Sequence, residues 1–373
     1  MNGIKYLTKL DQIGELSDVE RSALKKVTEK FVFRTNDYYR SLIDWDNPDD
    51  PIRRIVIPDI EEIEEWGGLD ASGESMYTTA PGLQHKYERT ALLLVTDVCG
   101  GYCRFCFRKR LFLNGCDEIA RDVTEGIEYI RKHEKITNVL LSGGDPLMLS
   151  TNKLERIISQ IREIEHVRII RIGTKMPAFN PYRIINDPSL PEMIRRYSTD
   201  QKRIYLMVQF NHPNEITDAA TESISHLIKA GAIIANQTPM IRGVNDDPKT
   251  LSELFKKLSF IGVVPYYVFQ CRPTSGNRTF VVPVEEAYEI FHRAQMDCSG
   301  LAKRARLVMS HSSGKIEVVG KTDKHIFLRY HRAADPKQTA DFLIFKSNPD
   351  ACWFDDYDEP IMEYSISSNG DSC

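Results

Sequence analysis

The stretch ALLLVTDVCGGYCRFCFRKR, residues 91–110, carries an apolar run straight into a loop holding Cys99, Cys103 and Cys106. A strand without polar alternation is buried on both faces, the mark of a parallel sheet covered by helices. In such sheets the working residues collect just past the carboxyl ends of the strands. The cysteine loop begins where this strand ends.

Further strands of the same kind follow: NVLLS (138–142), VRIIRIG (167–173), RIYLMVQF (203–210), AIIANQT (232–238) and VVPYYVF (263–269). Between them lie VTEGIEYIRKHE, TNKLERIISQIREIE, LPEMIRRYS, TDAATESISHLIKAG and PKTLSELFKKLSFIG, all with helical spacing. The alternation predicts an α/β fold, six strand–helix units forming either a partial barrel or a doubly wound open sheet.

Upstream, residues 1–88 form an N-terminal extension, helical and polar over its first part, with SDVERSALKKVTEKFVFR opening on a Ser/Asp cap. A Gly- and Ser-rich loop, GGLDASGESMYTTAPGLQH, leads into the first strand. Residues 89–300 make the α/β unit, and 301–364 a β-rich extension in which RLVMS, KIEVVG, HIFLRY and DFLIF are expected to pair antiparallel. The tail 365–373 is expected to be disordered.

Charged residues make up 27% of the 373 and the formal net charge is −4, so no basic field draws the chain to nucleic acid. No stretch approaches the roughly 18–20 apolar residues that span a bilayer, and the charged N-terminus lacks a signal peptide's apolar core. Eight cysteines in a chain this long are too few and too clustered for a disulfide scaffold. A reducing cytoplasm is the expected compartment.

Three thiolates spaced C-x3-C-x2-C can face one inorganic centre. Soft sulfur ligands favour an iron–sulfur cluster or zinc. Structural zinc requires a fourth protein ligand, for which Cys116 is the nearest candidate. A [4Fe–4S] cube on three cysteines instead leaves one iron open to a ligand. Inert core thiols fit poorly, because Arg104, Arg108 and Arg110 are interleaved with Tyr102, Phe105 and Phe107.

The C-x3-C-x2-C loop, with an aromatic before its last cysteine, resembles that of radical S-adenosylmethionine enzymes. DDPIRRIVIP (49–58), APGLQHKYERTALLLVTDVC (80–99), LSGGDPLMLS (141–150), RIGTKMPAFNPYRI (171–184), FNHPNEIT (210–217), ANQTPMIRGVNDDP (235–248) and PYYVFQCRPTSG (265–276) extend the likeness to the lysine 2,3-aminomutase-like family. The resemblance implies a partial (β/α)6 TIM-type barrel and a [4Fe–4S] cluster on the three cysteines. Its open iron would hold S-adenosyl-L-methionine, also met by Gly143, Gly144, Asp145, Gln209 and Gln237. It also implies Arg108 as the clamp for a substrate α-carboxylate, an electron donor such as flavodoxin or ferredoxin, and a homo-oligomer.

Members of that family bind pyridoxal phosphate on a lysine. Lys315 in SHSSGKIEVVG matches it and Tyr87 matches a coenzyme neighbour, although SSGK is also good turn chemistry. Lys86 and Thr90 stand where the family carries arginines, so the coenzyme's retention is open. Lysine-specific members read the distal ammonium with an aspartate in QCD; here QCR puts Arg272 there. An arginine repels an ammonium and suits an acid. The expected function is 2,3-amino migration on a non-lysine, acidic amino acid. The alternatives are a radical enzyme without pyridoxal phosphate, performing elimination, oxidation or epimerisation, and a non-catalytic zinc protein. His212 reads as a structural histidine at a strand end.

Overall fold

In a computed structural model, which describes residues 3–113 and 118–365, six strands run parallel in sequence order. They are β1 (Thr90–Thr96), β2 (Asn138–Gly143), β3 (Ile169–Thr174), β4 (Arg203–Val208), β5 (Ile233–Pro239) and β6 (Val264–Phe269). The helices expected between them include α1 (Thr124–Lys132), α2 (Thr151–Arg162), α3 (Ser189–Tyr197), α4 (Asp218–Lys229) and α5 (Pro248–Phe260). Each buries one apolar stripe against the sheet, as Leu154, Ile158 and Ile161 do on α2. The partial barrel is the architecture of the chain.

RLVMS opens the antiparallel unit as expected and also joins it to the barrel: β7 (Arg306–His311) pairs antiparallel with the strand that follows and parallel with β6. A parallel neighbour needs a crossover, and α6 (Val284–Met296) supplies it. The other three runs continue it antiparallel, in β8 (Gly314–Lys321), β9 (His325–Ala333) and β10 (Phe342–Lys346), with β11 (Met362–Tyr364) at the edge. At the other edge Thr78–Ala80 and Leu83–Tyr87 add two antiparallel strands, giving one sheet of thirteen.

The N-terminal extension packs on the carboxyl ends of the barrel strands. Ser17 caps the helix Asp18–Lys30, its hydroxyl accepting from the Glu20 amide at 3.2 Å while Glu20 accepts from the Ser17 amide at 2.9 Å. Two short strands, Tyr6–Leu7 and Thr35–Asn36, pair antiparallel within it. Ile52, Ile55 and Val56 share a core with Phe105, Phe179 and Phe280. Burial of these side chains removes each from water at about 1.5–3 kcal/mol, and it seats the extension on the cysteine loop. No helix among the described residues is long and apolar enough to cross a membrane. The expected tail falls outside the described residues from 366 on, and so does Cys116.

Candidate functional site

The carboxyl ends of β1 to β7 surround a cavity of about 350 Å³. Cys99, Cys103 and Cys106 lie in its wall with free thiols. The Cys106 amide donates to the Cys103 carbonyl at 3.0 Å, turning the loop between these two. Its backbone is bolted down on both sides: the Tyr102 amide donates to the Arg34 carbonyl at 2.9 Å, and the Arg104 amide to Ile55 at 2.8 Å. The Arg104 guanidinium turns away from the cavity and grips Glu62 through Nε and Nη2, each at 2.8 Å.

Burial pushes the Cys103 thiol up to about 12 and raises Cys99 and Cys106 as well. Arg34 opposes this at Cys99, Lys175 at Cys103, and Arg108, Lys109 and Arg110 at Cys106. Three soft donors ringed by cations suit an iron–sulfur centre, which binds them as thiolates and gathers negative charge on its sulfur. Among the described residues no three His, Cys, Asp or Glu side chains converge as they do around a single ion.

Gly143 and Gly144 border the cavity and also bring two backbones together. A Cβ on Gly143, at φ +118°, would lie 2.2 Å from the Thr96 carbonyl oxygen, and one on Gly144 would lie 2.5 Å from that of Val98. The glycines let β2 close on the backbone that enters the cysteine loop, and the Asp145 amide completes the seam by donating to Val98 at 2.8 Å. Asp145, raised to about 6 by burial, commits its carboxylate to the amides of Leu147 and Lys175 and the Thr174 hydroxyl. Its side chain ties β2 to β3, while the glycine backbone borders the cavity.

Gln209 and Gln237, at the ends of β4 and β5, both line the cavity. Gln209 donates to Asn211 at 3.1 Å. Beside it the Lys175 ammonium, out of solvent, meets Asn211 at 2.7 Å and Glu215 at 2.5 Å. His212 does not line the cavity; its Nδ1 accepts from the Asn214 amide at 3.2 Å.

At the opposite wall stands Lys315, on β8. It is no exposed turn lysine: its ammonium lies 5.0 Å from the Tyr267 ring centre and 4.7 Å from that of Phe269. Burial, then Arg272, Arg171, Arg332 and Lys86, hold the amine well below its usual range. Thr90 has a guanidinium beside it from elsewhere in the chain. Arg332, from β9, donates to the Thr90 hydroxyl at 2.7 Å and lies 4.1 Å from the Tyr87 ring centre. Arg171, from β3, reaches the same region while its Nε donates to Asn138 at 2.8 Å. Burial pushes the Tyr87 hydroxyl up to about 12 and pulls Lys86 down to about 8.

Arg272 points into the cavity rather than outward. Its guanidinium carbon stacks 3.6 Å from the Phe107 ring centre, burial lowers it to about 10, and Nη1 has no hydrogen-bond partner. Arg108 is engaged on one edge: Nε and Nη2 meet Glu74 at 3.1 and 2.8 Å, and Nη1 donates to Ser142 at 2.8 Å.

The radical SAM superfamily model matches residues 93–255, from β1 through most of α5. A protein of Aquifex aeolicus, named provisionally as an L-lysine 2,3-aminomutase, is 58% identical over 98% of both chains. The chain belongs to the radical SAM superfamily, in its lysine 2,3-aminomutase-like family. It is also 38% identical to the L-lysine 2,3-aminomutase of Fusobacterium nucleatum, covering 81% of this chain and 70% of that one. The glutamate 2,3-aminomutase of Clostridioides difficile is 33% identical, covering 84% and 73%. Family membership makes the chain an isomerase of the aminomutase type and implies a [4Fe–4S] cluster with S-adenosylmethionine.

Sequence reasoning missed Glu74, Arg171, Lys175 and Arg332. Arg171 had a signal: a lone charge inside the apolar run VRIIRIG. Glu74 and Arg332 had none, since their partners lie far along the chain.

Proposed function

We propose that the chain is a radical 2,3-aminomutase of an amino acid with an acidic far end, working with pyridoxal phosphate on Lys315. The observation that carries this reading is the setting of Lys315, a buried amine whose charged form is disfavoured amid Lys86, Arg171, Arg272 and Arg332. A neutral amine is the form that attacks a carbonyl. Three of these cations, Lys86, Arg171 and Arg332, suit a phosphate. That argues against the variant without coenzyme, whose appeal rested on the missing arginines.

When bound, pyridoxal phosphate supplies an aldehyde for amines and a π-system that spreads an unpaired electron. The cluster with S-adenosylmethionine would supply a hydrogen-abstracting radical once reduced by a carrier such as flavodoxin or ferredoxin. The chain's own residues bind and orient. Arg171, Arg332 and Tyr87 would hold the phosphate, and Arg108 would anchor the α-carboxylate. Arg272, with its unpartnered Nη1, would read the distal acid. Phe107, Tyr267 and Phe269 keep the walls apolar.

The test offers L-glutamate, L-aspartate and L-lysine to reduced, cluster- and coenzyme-loaded protein, reading 5′-deoxyadenosine and the 3-amino isomer. Turnover of an acidic substrate with loss of the coenzyme band in Lys315→Ala is expected. A preference for L-lysine would overturn the substrate assignment, and a Lys315→Ala enzyme that still turned over would overturn the coenzyme's role.

A further inference from the structure

Glu74 opens a single 3-10 turn, Glu74–Tyr77, just before Thr78–Ala80, where nothing in the sequence marks it. Its side chain is only 12% exposed, and its carboxylate joins Arg108 on one side and Arg110, at 2.7 Å, on the other. Burial alone would raise this carboxyl, but the Arg108, Arg272 and Arg110 guanidiniums hold it well below the usual range. It is therefore an anion placed among the cations that would receive a substrate carboxylate.

The pair is side-on. A guanidinium has five N–H groups. Glu74 takes the one on Nε and one on Nη2, and Ser142 takes one on Nη1. Two remain, one on each Nη, so the arginine's plane is fixed while N–H groups are left over for a carboxylate.

The loop that carries Glu74 is itself latched to the rest of the site. Gly67 lies so close to Pro273 that a Cβ would fall 1.9 Å from its carbonyl oxygen, and the Gly68 amide donates to that carbonyl at 3.0 Å. Pro273 directly follows Arg272. Farther along, the Ser72 hydroxyl donates to the Ser310 carbonyl at 3.1 Å and the Tyr77 hydroxyl to Ser312 at 2.8 Å, beside Lys315. Asp70 accepts from the Glu74 amide at 2.8 Å and the Ser75 amide at 3.0 Å, fixing the turn.

We propose that Glu74 is a positioning residue for substrate binding, holding Arg108 side-on so that its two remaining N–H groups meet the α-carboxylate. The inference rests on the reading of Arg108 as the carboxylate anchor. The contrary reading makes Glu74 a built-in competitor that substrate must displace.

The two differ in sign. L-glutamate binding is measured by equilibrium dialysis on the full, cluster- and coenzyme-loaded chain, with coenzyme absorbance and the cluster's paramagnetic spectrum as controls on the site. Glu74→Ala is expected to weaken binding about tenfold or more, the scale of a lost charge-assisted contact. Glu74→Gln, which keeps one acceptor, loses less, and it decides the matter if the alanine variant does not fold. In an Arg108→Gln background Glu74→Ala should add nothing. Binding that is unchanged or tighter in the Glu74 variants overturns the proposal. If Arg108→Gln weakens binding while the Glu74 variants do not, the positioning role alone fails. If Arg108→Gln has no effect, or the unaltered chain does not bind L-glutamate, the carboxylate reading fails and takes this inference with it.

Discussion

Arg104, the residue after Cys103, forms a two-pronged ion pair with Glu62 of the N-terminal extension, both prongs at 2.8 Å and both side chains out of solvent. The Lys109 ammonium lies 3.6 Å from the same carboxylate. The cysteine loop is thus held from behind by a segment outside the barrel. Removing one partner of a buried pair leaves an uncompensated charge, at about 3–5 kcal/mol. Glu62→Ala should lower urea-unfolding stability by about that much and reduce bound iron per chain. A loss below about 1 kcal/mol, the scale of an exposed pair, with iron unchanged would show the bolt to be dispensable.

A second buried pair backs the loop from the barrel side. Lys175 meets Glu215 at 2.5 Å, and Tyr39 donates to the same carboxylate at 2.5 Å. Lys175→Met should destabilise by about 3–5 kcal/mol, and adding Glu215→Gln should restore part of the loss, because the stranded carboxylate is the larger cost. A double variant no better than the single one would contradict this.

Lys315 makes a prediction of opposite sign. Its folded pKa lies below its unfolded value, so between the two the unfolded chain binds more protons, and stability rises with pH across that window. Below the folded value the amine is charged in both states and its burial is a standing cost. Lys315→Met should therefore raise the thermal midpoint of the coenzyme-free protein near neutral pH while abolishing the coenzyme band. A lower midpoint would mean that the amine has a stabilising partner.

Under the proposed function, Lys86 would set a pH limit on the phosphate pocket. Burial lowers it to about 8, so the pocket loses one cation as pH rises past that value. Coenzyme affinity should fall above about pH 8 in the native chain, and the fall should be smaller in Lys86→Gln, measured by absorbance titration. Equal slopes in the two proteins would exclude Lys86 from the pocket.

The strands and the cysteine loop were legible because each is local: apolar runs of five to eight residues, and a metal-ligand spacing within eight. The parallel pairing of β7 with β6 was not. RLVMS reads the same in either sense, and only the packing of α6 as a crossover decides it. The cation cluster was half hidden for a related reason. Thr90 carries no charge, but Arg332, which meets it, lies on the third strand beyond β6 and reaches Thr90 only when the sheet curves round. Glu74 lay in a loop whose composition announces only turns.

The most direct test of the account is the paramagnetic spectrum of anaerobically reconstituted, reduced protein, recorded with and without S-adenosylmethionine. The account predicts iron and sulfide in equal amount and a spectrum that shifts when the nucleotide is added, with both lost in Cys103→Ala. Protein that takes up zinc in place of iron, or a cluster whose spectrum ignores the nucleotide, would contradict it.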